Sequence, residues 1–171
     1  MRNGHYFLSF FLLLVLQILI CNYLNLSLYV TLSILPVLIL MLPIQYGTVF
    51  AMLLAFVSGL AVDFLSEGVI GLNALALVPV ALTRKSIIYL VFGSEFFARK
   101  ENISLHKHGA AKISVALVLA QSLFLLIYIW TDGAAMRPWS FNLIRFGVSL
   151  VLGVLLSLLL SRVLTVSDHA L

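Results

Sequence analysis

The chain has 171 residues, of which 63% are hydrophobic and 9% are charged, and its formal net charge is +4. Soluble domains contain about 45–50% apolar and about 25% charged residues, so a soluble chain of this composition would expose very large apolar patches. The composition therefore predicts an integral membrane protein and excludes disordered, collagen-like, coiled-coil and disulfide-stapled chains. Cys21 is the only cysteine, which leaves no internal disulfide and no cysteine-based metal site.

Six apolar segments are candidates for membrane-spanning helices, which need about 20 mostly apolar residues. In chain order they cover about residues 6–21, 28–42, 46–64, 69–83, 113–130 and 141–164. The first follows a short positive stretch but lacks a small-residue cleavage site, so we expect an uncleaved span rather than a signal peptide. We predict that residues 1–171 form one all-α transmembrane domain, a compact bundle of six short helices.

The longest polar stretch, residues 84–112, contains six lysine or arginine residues and two acidic residues. Because cytoplasmic loops are enriched in lysine and arginine, we predict that this basic loop is cytoplasmic. Six spans then place both termini in the cytoplasm and the acidic turn after the third span outside. Within the loop, residues 86–98 have apolar side chains at helical spacing. They form either an amphipathic helix at the inner interface or a continuation of the fourth span.

Small residues recur every four positions in two of the spans. In the third span they are Ala51, Ala55 and Gly59, and in the sixth they are Ser149, Gly153, Ser157 and Ser161. Small residues at this spacing allow the backbones of two helices to approach closely in lipid. The two stripes therefore pack against other helices of the same chain, or against the helix of a partner protein.

Polar side chains within the spans are few. Asp63 and Arg145 continue the two small-residue stripes at a similar predicted depth, and pairing would offset part of the cost of each charge in the membrane. We predict an intramembrane charge pair; in the alternative, Asp63 only caps its turn and Arg145 extends toward the headgroups. Gln17 and Gln121 are expected to form hydrogen bonds across helices.

The common catalytic motifs do not occur in the sequence. It contains no Gly-x-Ser-x-Gly elbow, no His-Glu-x-x-His metal site and no phosphate-binding glycine loop. His106 and His108 lack neighbouring ligands and are interpreted as loop residues. We therefore expect no enzyme activity, no cofactor and no metal. The ten basic residues are dispersed along the chain, so we also expect no nucleic-acid partner.

The stretch from Gly59 to Lys85 resembles the signature region of the MreD family, the bacterial rod shape-determining membrane proteins. The positions that match are Gly59, Asp63, Gly71, Asn73, Ala74 and Arg84. This region covers about a sixth of the chain, and elsewhere the resemblance is limited to length and hydrophobic spans.

The resemblance implies a non-enzymatic component of the cell-elongation (rod) complex in the bacterial cytoplasmic membrane. Such a component helps to maintain cell shape and to organise peptidoglycan synthesis through helix-mediated docking. Its partners would be membrane lipid and an MreC-like protein. Through the MreC-like protein it would reach MreB filaments and a SEDS glycosyltransferase with a class B penicillin-binding protein.

Substrate-binding subunits of energy-coupling-factor vitamin transporters are the alternative. They are also small proteins with six spans and short loops. Their first span often carries an Ala-x-x-x-Ala coupling face, whereas residues 10–14 of this chain are all bulky. Vitamin binding by the purified protein would favour this alternative.

Overall fold

The computed structural model describes residues 2–23, 30–67, 69–94, 109–133 and 138–166, and these ranges contain helices and no strand. The helices are α1 (Arg2–Tyr23), α2 (Leu35–Leu40), α3 (Thr48–Val62), α4 (Leu72–Phe92), α5 (Ala110–Gly133) and α6 (Trp139–Val166). A π-helical turn, Asp63–Glu67, extends α3. Four stretches are long and apolar enough to cross a membrane: Thr48–Ser66, Leu72–Phe92, Ala110–Asp132 and Trp139–Ser161. The chain is thus a helical membrane protein, in which Phe7–Tyr23 is a further, shorter apolar helix.

The predicted second span, 28–42, is wrong as a spanning helix. Only the six residues of α2 are helical, and the described residues before it, 30–34, form no helix. Side chains of residues 33–43 are all buried inside the bundle, so this stretch does not face lipid. We call residues 30–46 the interior segment. Its apolar sequence resembles that of a spanning helix because core and lipid select the same side chains.

Contacts at both ends of α1 fix the direction of the interior segment. Near the start of α1, the ring of Phe7 lies edge-on to Tyr46 and Phe50, with centroids 5.6 and 6.3 Å apart. Near the other end, the Asn22 side-chain amide donates to the Leu65 carbonyl at 3.2 Å. Helices α1 and α3 therefore run in the same direction. The interior segment returns between their opposite ends through the bundle.

The fourth predicted span, 69–83, is too short. Helix α4 continues to Phe92, and its last turns include the charged Arg84 and Lys85. Residues 86–92 therefore continue the span, which is one of the two alternatives for this stretch. The other predicted spans, 6–21, 46–64, 113–130 and 141–164, overlap α1, α3, α5 and α6. Most of the basic loop, residues 95–108 with His106 and His108, lies outside the described residues.

Helices adjacent in the chain pack against each other, α3 on α4, α4 on α5 and α5 on α6. The interior segment lies among them, since α2 contacts α3, α4, α5 and α6 as well as α1. A backbone without continuous helical hydrogen bonds is tolerated at membrane depth only where protein or water covers it.

Candidate functional site

The carboxylate of Asp63 caps the N-terminus of α4 from a distance in the sequence. Its Oδ1 accepts hydrogen bonds from the backbone N–H and the side-chain amide of Asn73, both at 2.9 Å. Its Oδ2 accepts from the backbone N–H groups of Gly71 at 3.0 Å and Ala74 at 3.3 Å. These N–H groups begin a helix and have no partner within it, and the helix dipole favours an anion there. The charge of Asp63, which is fully buried, is therefore satisfied locally.

Two glycines make this cap possible. Gly71 has a φ of +98°, a left-handed conformation that glycine adopts without strain, and it turns the chain into α4. At Gly59 an added Cβ would lie 2.5 Å from the Ala74 Cα and 2.6 Å from its nitrogen, so the backbones of α3 and α4 are in direct contact. Five of the six motif positions thus meet in one corner of the bundle, which we call the α3–α4 corner: Gly59, Asp63, Gly71, Asn73 and Ala74.

The sixth motif position, Arg84, binds the interior segment at the end of α2. Its Nε donates to the Leu40 carbonyl at 3.3 Å, and its Nη2 donates to the Leu42 carbonyl. Carbonyls at the C-terminal end of a helix lack partners, and a cation is favourable there. The side chain is 1% exposed. Its assignment to the cytoplasmic loop 84–112 is therefore wrong, because the guanidinium points into the bundle.

Arg145 is the centre of a second polar cluster, the Arg145 cluster. Its Nη1 lies 2.6 Å from Asp132 Oδ2, and its Nε donates to Thr31 Oγ1 at 3.0 Å. The guanidinium carbon lies 5.8 Å from the centre of the Tyr128 ring. The backbone N–H of Thr31 in turn donates to the hydroxyl of Ser149 at 2.8 Å. The cluster therefore joins α5 and α6 to the first described residues of the interior segment.

The predicted charge pair between Asp63 and Arg145 is wrong. Asp63 is occupied by the four donors of the cap, and Arg145 pairs with Asp132. The alternative is correct for Asp63, which does cap its turn, but Arg145 is only 8% exposed and does not extend to the headgroups. Sequence reasoning missed Asp132 as the partner. Its position near the end of the helix preceding α6 was the available signal.

Both small-residue stripes are buried within the chain. The members predicted as a packing or partner face are Ala51, Ala55, Gly59, Ser149, Gly153 and Ser157. Gly59 contacts α4, and a Cβ added at Gly153 would lie 2.5 Å from Gln121 Nε2 on α5. Of the two alternatives, the structure assigns these residues to packing within the chain.

Two glutamines bind the non-helical backbone of the interior segment. Gln17 Oε1 accepts from the Ile34 N–H at 2.7 Å, and its Nε2 donates to the Leu32 carbonyl at 3.1 Å. From α5, Gln121 Nε2 donates to the Ser33 carbonyl at 3.2 Å. We expected hydrogen bonds between helices, and the partners are backbone groups instead. These contacts replace hydrogen bonds that a regular helix would form within itself.

The buried charges of the described residues all have structural partners. Asp63 binds a helix N-terminus, Arg84 binds a helix C-terminus, and Arg145 binds Asp132. Among the same residues, no group of three or more His, Cys, Asp or Glu side chains is placed to hold a metal ion. What these polar groups do is position the interior segment and the α3–α4 corner.

An apolar groove lies on the bundle surface beside the α3–α4 corner. Its volume is about 330 Å³, and it is lined by Phe56, Gly71, Ala74, Leu75, Val78 and Pro79. Two of these residues, Gly71 and Ala74, are also motif positions whose N–H groups bind Asp63. The cap and the groove therefore share one piece of backbone.

The chain matches no family model, no curated protein and no solved structure.

Proposed function

We propose that the chain is a non-enzymatic, MreD-like component of the bacterial cell-elongation complex, acting in the cytoplasmic membrane by docking partner proteins against its helices. The observation that carries this proposal is the α3–α4 corner. Five motif positions come together there, and both oxygens of the Asp63 carboxylate are occupied by donors from α4. A fully buried carboxylate with these hydrogen bonds stabilises the α3–α4 corner and does not serve as a nucleophile or proton donor.

A partner must dock on the surface of the bundle, because the two small-residue stripes are buried by packing within the chain. The groove beside the α3–α4 corner is the surface we propose. Gly71 has no side chain, so the backbone of a second helix can approach it closely. We propose that the transmembrane helix of an MreC-like partner occupies this groove. The rigid cap behind the groove would keep its shape fixed before binding, which lowers the cost of ordering on association.

The proposed orientation has both termini in the cytoplasm. Helices α1 and α3 run in the same direction, so the chain must return across the membrane between them. The interior segment provides this return crossing. The exposed Lys85 and Lys112 lie toward the end of the bundle opposite Asp132. This distribution follows the positive-inside rule if the basic end faces the cytoplasm.

Replacement of the gene in its own bacterium tests the proposal. Loss of the protein should convert rods to rounded cells. Leu75→Trp, which fills the groove, should fail to restore rods at a normal protein level. Leu126→Trp is the matched control, because Leu126 is 53% exposed against 54% for Leu75, but lies on α5 and does not line the groove.

Two results would contradict different parts of this proposal. Rods that persist without the protein would refute the role in elongation. Round cells without the protein, but rods with Leu75→Trp, would refute the groove as the docking surface and leave the role in elongation standing.

A further inference from the structure

The interface between α5 and α6 contains two buried polar atoms without a partner among the described residues: Gln121 Oε1 and Ser157 Oγ. Both residues are 1% exposed. Neighbouring polar groups of the interface form hydrogen bonds. The Ser149 hydroxyl accepts from Thr31, the Gln121 amide nitrogen donates to Ser33, and the Ser161 hydroxyl donates to the Leu158 carbonyl. The two unpartnered atoms are therefore exceptions within a well-satisfied row.

Gln121 and Ser157 belong to two helices, α5 and α6, that pack against each other. Gly153 contacts the Gln121 side chain, since an added Cβ would lie 2.5 Å from its nitrogen and 3.1 Å from its Cδ. Ser157 follows Gly153 by four residues, about one helical turn further along the same face of α6. No direct hydrogen bond joins Ser157 to Gln121. Ser157 thus lies about one helical turn from the point at which Gln121 contacts α6.

The chemistry of the two atoms selects a small neutral ligand. Gln121 Oε1 only accepts hydrogen bonds, whereas a serine hydroxyl both donates and accepts. Among the described residues, Asp63 is bound at the start of α4 and Asp132 is paired with Arg145, so neither carboxylate is available to favour a cation at these two atoms. Lipid supplies no donor at this depth. Buried water typically binds where such polar groups converge.

We infer that one buried water molecule bridges Gln121 Oε1 and Ser157 Oγ between α5 and α6. The water donates to Oε1 and exchanges a hydrogen bond with the serine hydroxyl. Because Gln121 also donates to the Ser33 carbonyl, the water belongs to the contacts that hold the interior segment. This inference does not depend on the proposed function.

An experimental structure of the full chain in lipid nanodiscs, at a resolution that reveals ordered water, tests the inference. We expect one density peak at hydrogen-bond distance, about 2.7–3.2 Å, from both atoms. The peak should be lost in Ser157→Ala. It should remain in Ser161→Ala, the matched control, because the Ser161 hydroxyl donates to its own helix at 2.7 Å.

Several outcomes would overturn the inference. A direct hydrogen bond between Ser157 and Gln121 would leave no place for the water. The inference would also be contradicted by a peak that contacts only one of the two atoms, or by the absence of a peak. A peak that persists unchanged in Ser157→Ala would contradict it as well.

Discussion

Arg145 and Asp132 form an ion pair with 2.6 Å between Nη1 and Oδ2, between the first turns of α6 and the end of α5. The same guanidinium donates to Thr31 at 3.0 Å, so the pair also holds the interior segment. The side chain of Asp132 is 25% exposed and that of Arg145 is 9% exposed. The pair therefore lies at the edge of the bundle, where the penalty for charge is smaller than at the membrane centre.

A double-mutant cycle should show that Arg145 is coupled to Asp132 and not to Asp63. Removal of one partner leaves the other charge unpaired, so Asp132→Asn and Arg145→Gln should be less than additive, with a coupling of about 0.5–3 kcal/mol in unfolding free energy. The control cycle, Asp63→Asn with Arg145→Gln, should be additive within about 0.5 kcal/mol. Unfolding in mixed detergent micelles measures both. Coupling in the second cycle and additivity in the first would reverse our assignment.

Gly59→Ala should destabilise the protein although the change adds only one methyl group. The new Cβ would lie 2.5 Å from the backbone of Ala74, so α3 and α4 must separate. We expect a cost of about 1–3 kcal/mol, as for other overpacked cores. Gly147→Ala is the control, because a Cβ there meets nothing within 4 Å. In a helix that change should be neutral or stabilising by up to about 1 kcal/mol. Equal thermal stability of the two variants would contradict the close contact.

Arg84→Met should release the end of the interior segment. The change leaves the buried carbonyls of Leu40 and Leu42 without this donor, and each buried unsatisfied group costs about 1–3 kcal/mol. We expect a clearly lower midpoint of thermal unfolding. The adjacent Lys85→Met, at an exposed position, should change it little. If both variants unfold at the wild-type temperature, Arg84 does not anchor the segment.

The positions of the helices were largely predictable, because a spanning helix has a strong compositional signal. Residues 113–130 and 141–164 fall within α5 and α6. The prediction of a span at residues 28–42 was wrong for a physical reason. Hydropathy reports that a segment avoids water, and it cannot distinguish a segment surrounded by lipid from one surrounded by other helices. Pro36 at the start of α2 was the local sign that a long helix does not run through this stretch.

The polar sites were harder to predict, because their partners are backbone groups. A sequence pattern shows the residue types Asp63 and Arg145, and pairing opposite charges is the simplest way to satisfy both. The structure satisfies Asp63 with N–H groups at the start of α4 instead. Which helix ends are left free to bind a charge depends on the fold, so the sequence alone does not decide between the two solutions.

Cysteine labelling should establish the orientation of the bundle. In a Cys21→Ser background, Val69→Cys should react with an impermeant thiol reagent in intact spheroplasts, because the turn before α4 is proposed to be outside. Lys112→Cys should react only after lysis. Both positions are exposed on the bundle surface, so burial inside the bundle does not explain a lack of reaction. The reverse pattern would invert the proposed topology.

Affinity purification of the tagged protein from native membranes, with identification of bound proteins by mass spectrometry, tests the proposed function most directly. We predict that an MreC-like protein co-purifies with the wild type and with Leu126→Trp, and is lost with Leu75→Trp at equal protein yield. If the wild type recovers no component of the cell-elongation complex, while a tagged MreC-like protein from the same membranes does, the proposal is wrong.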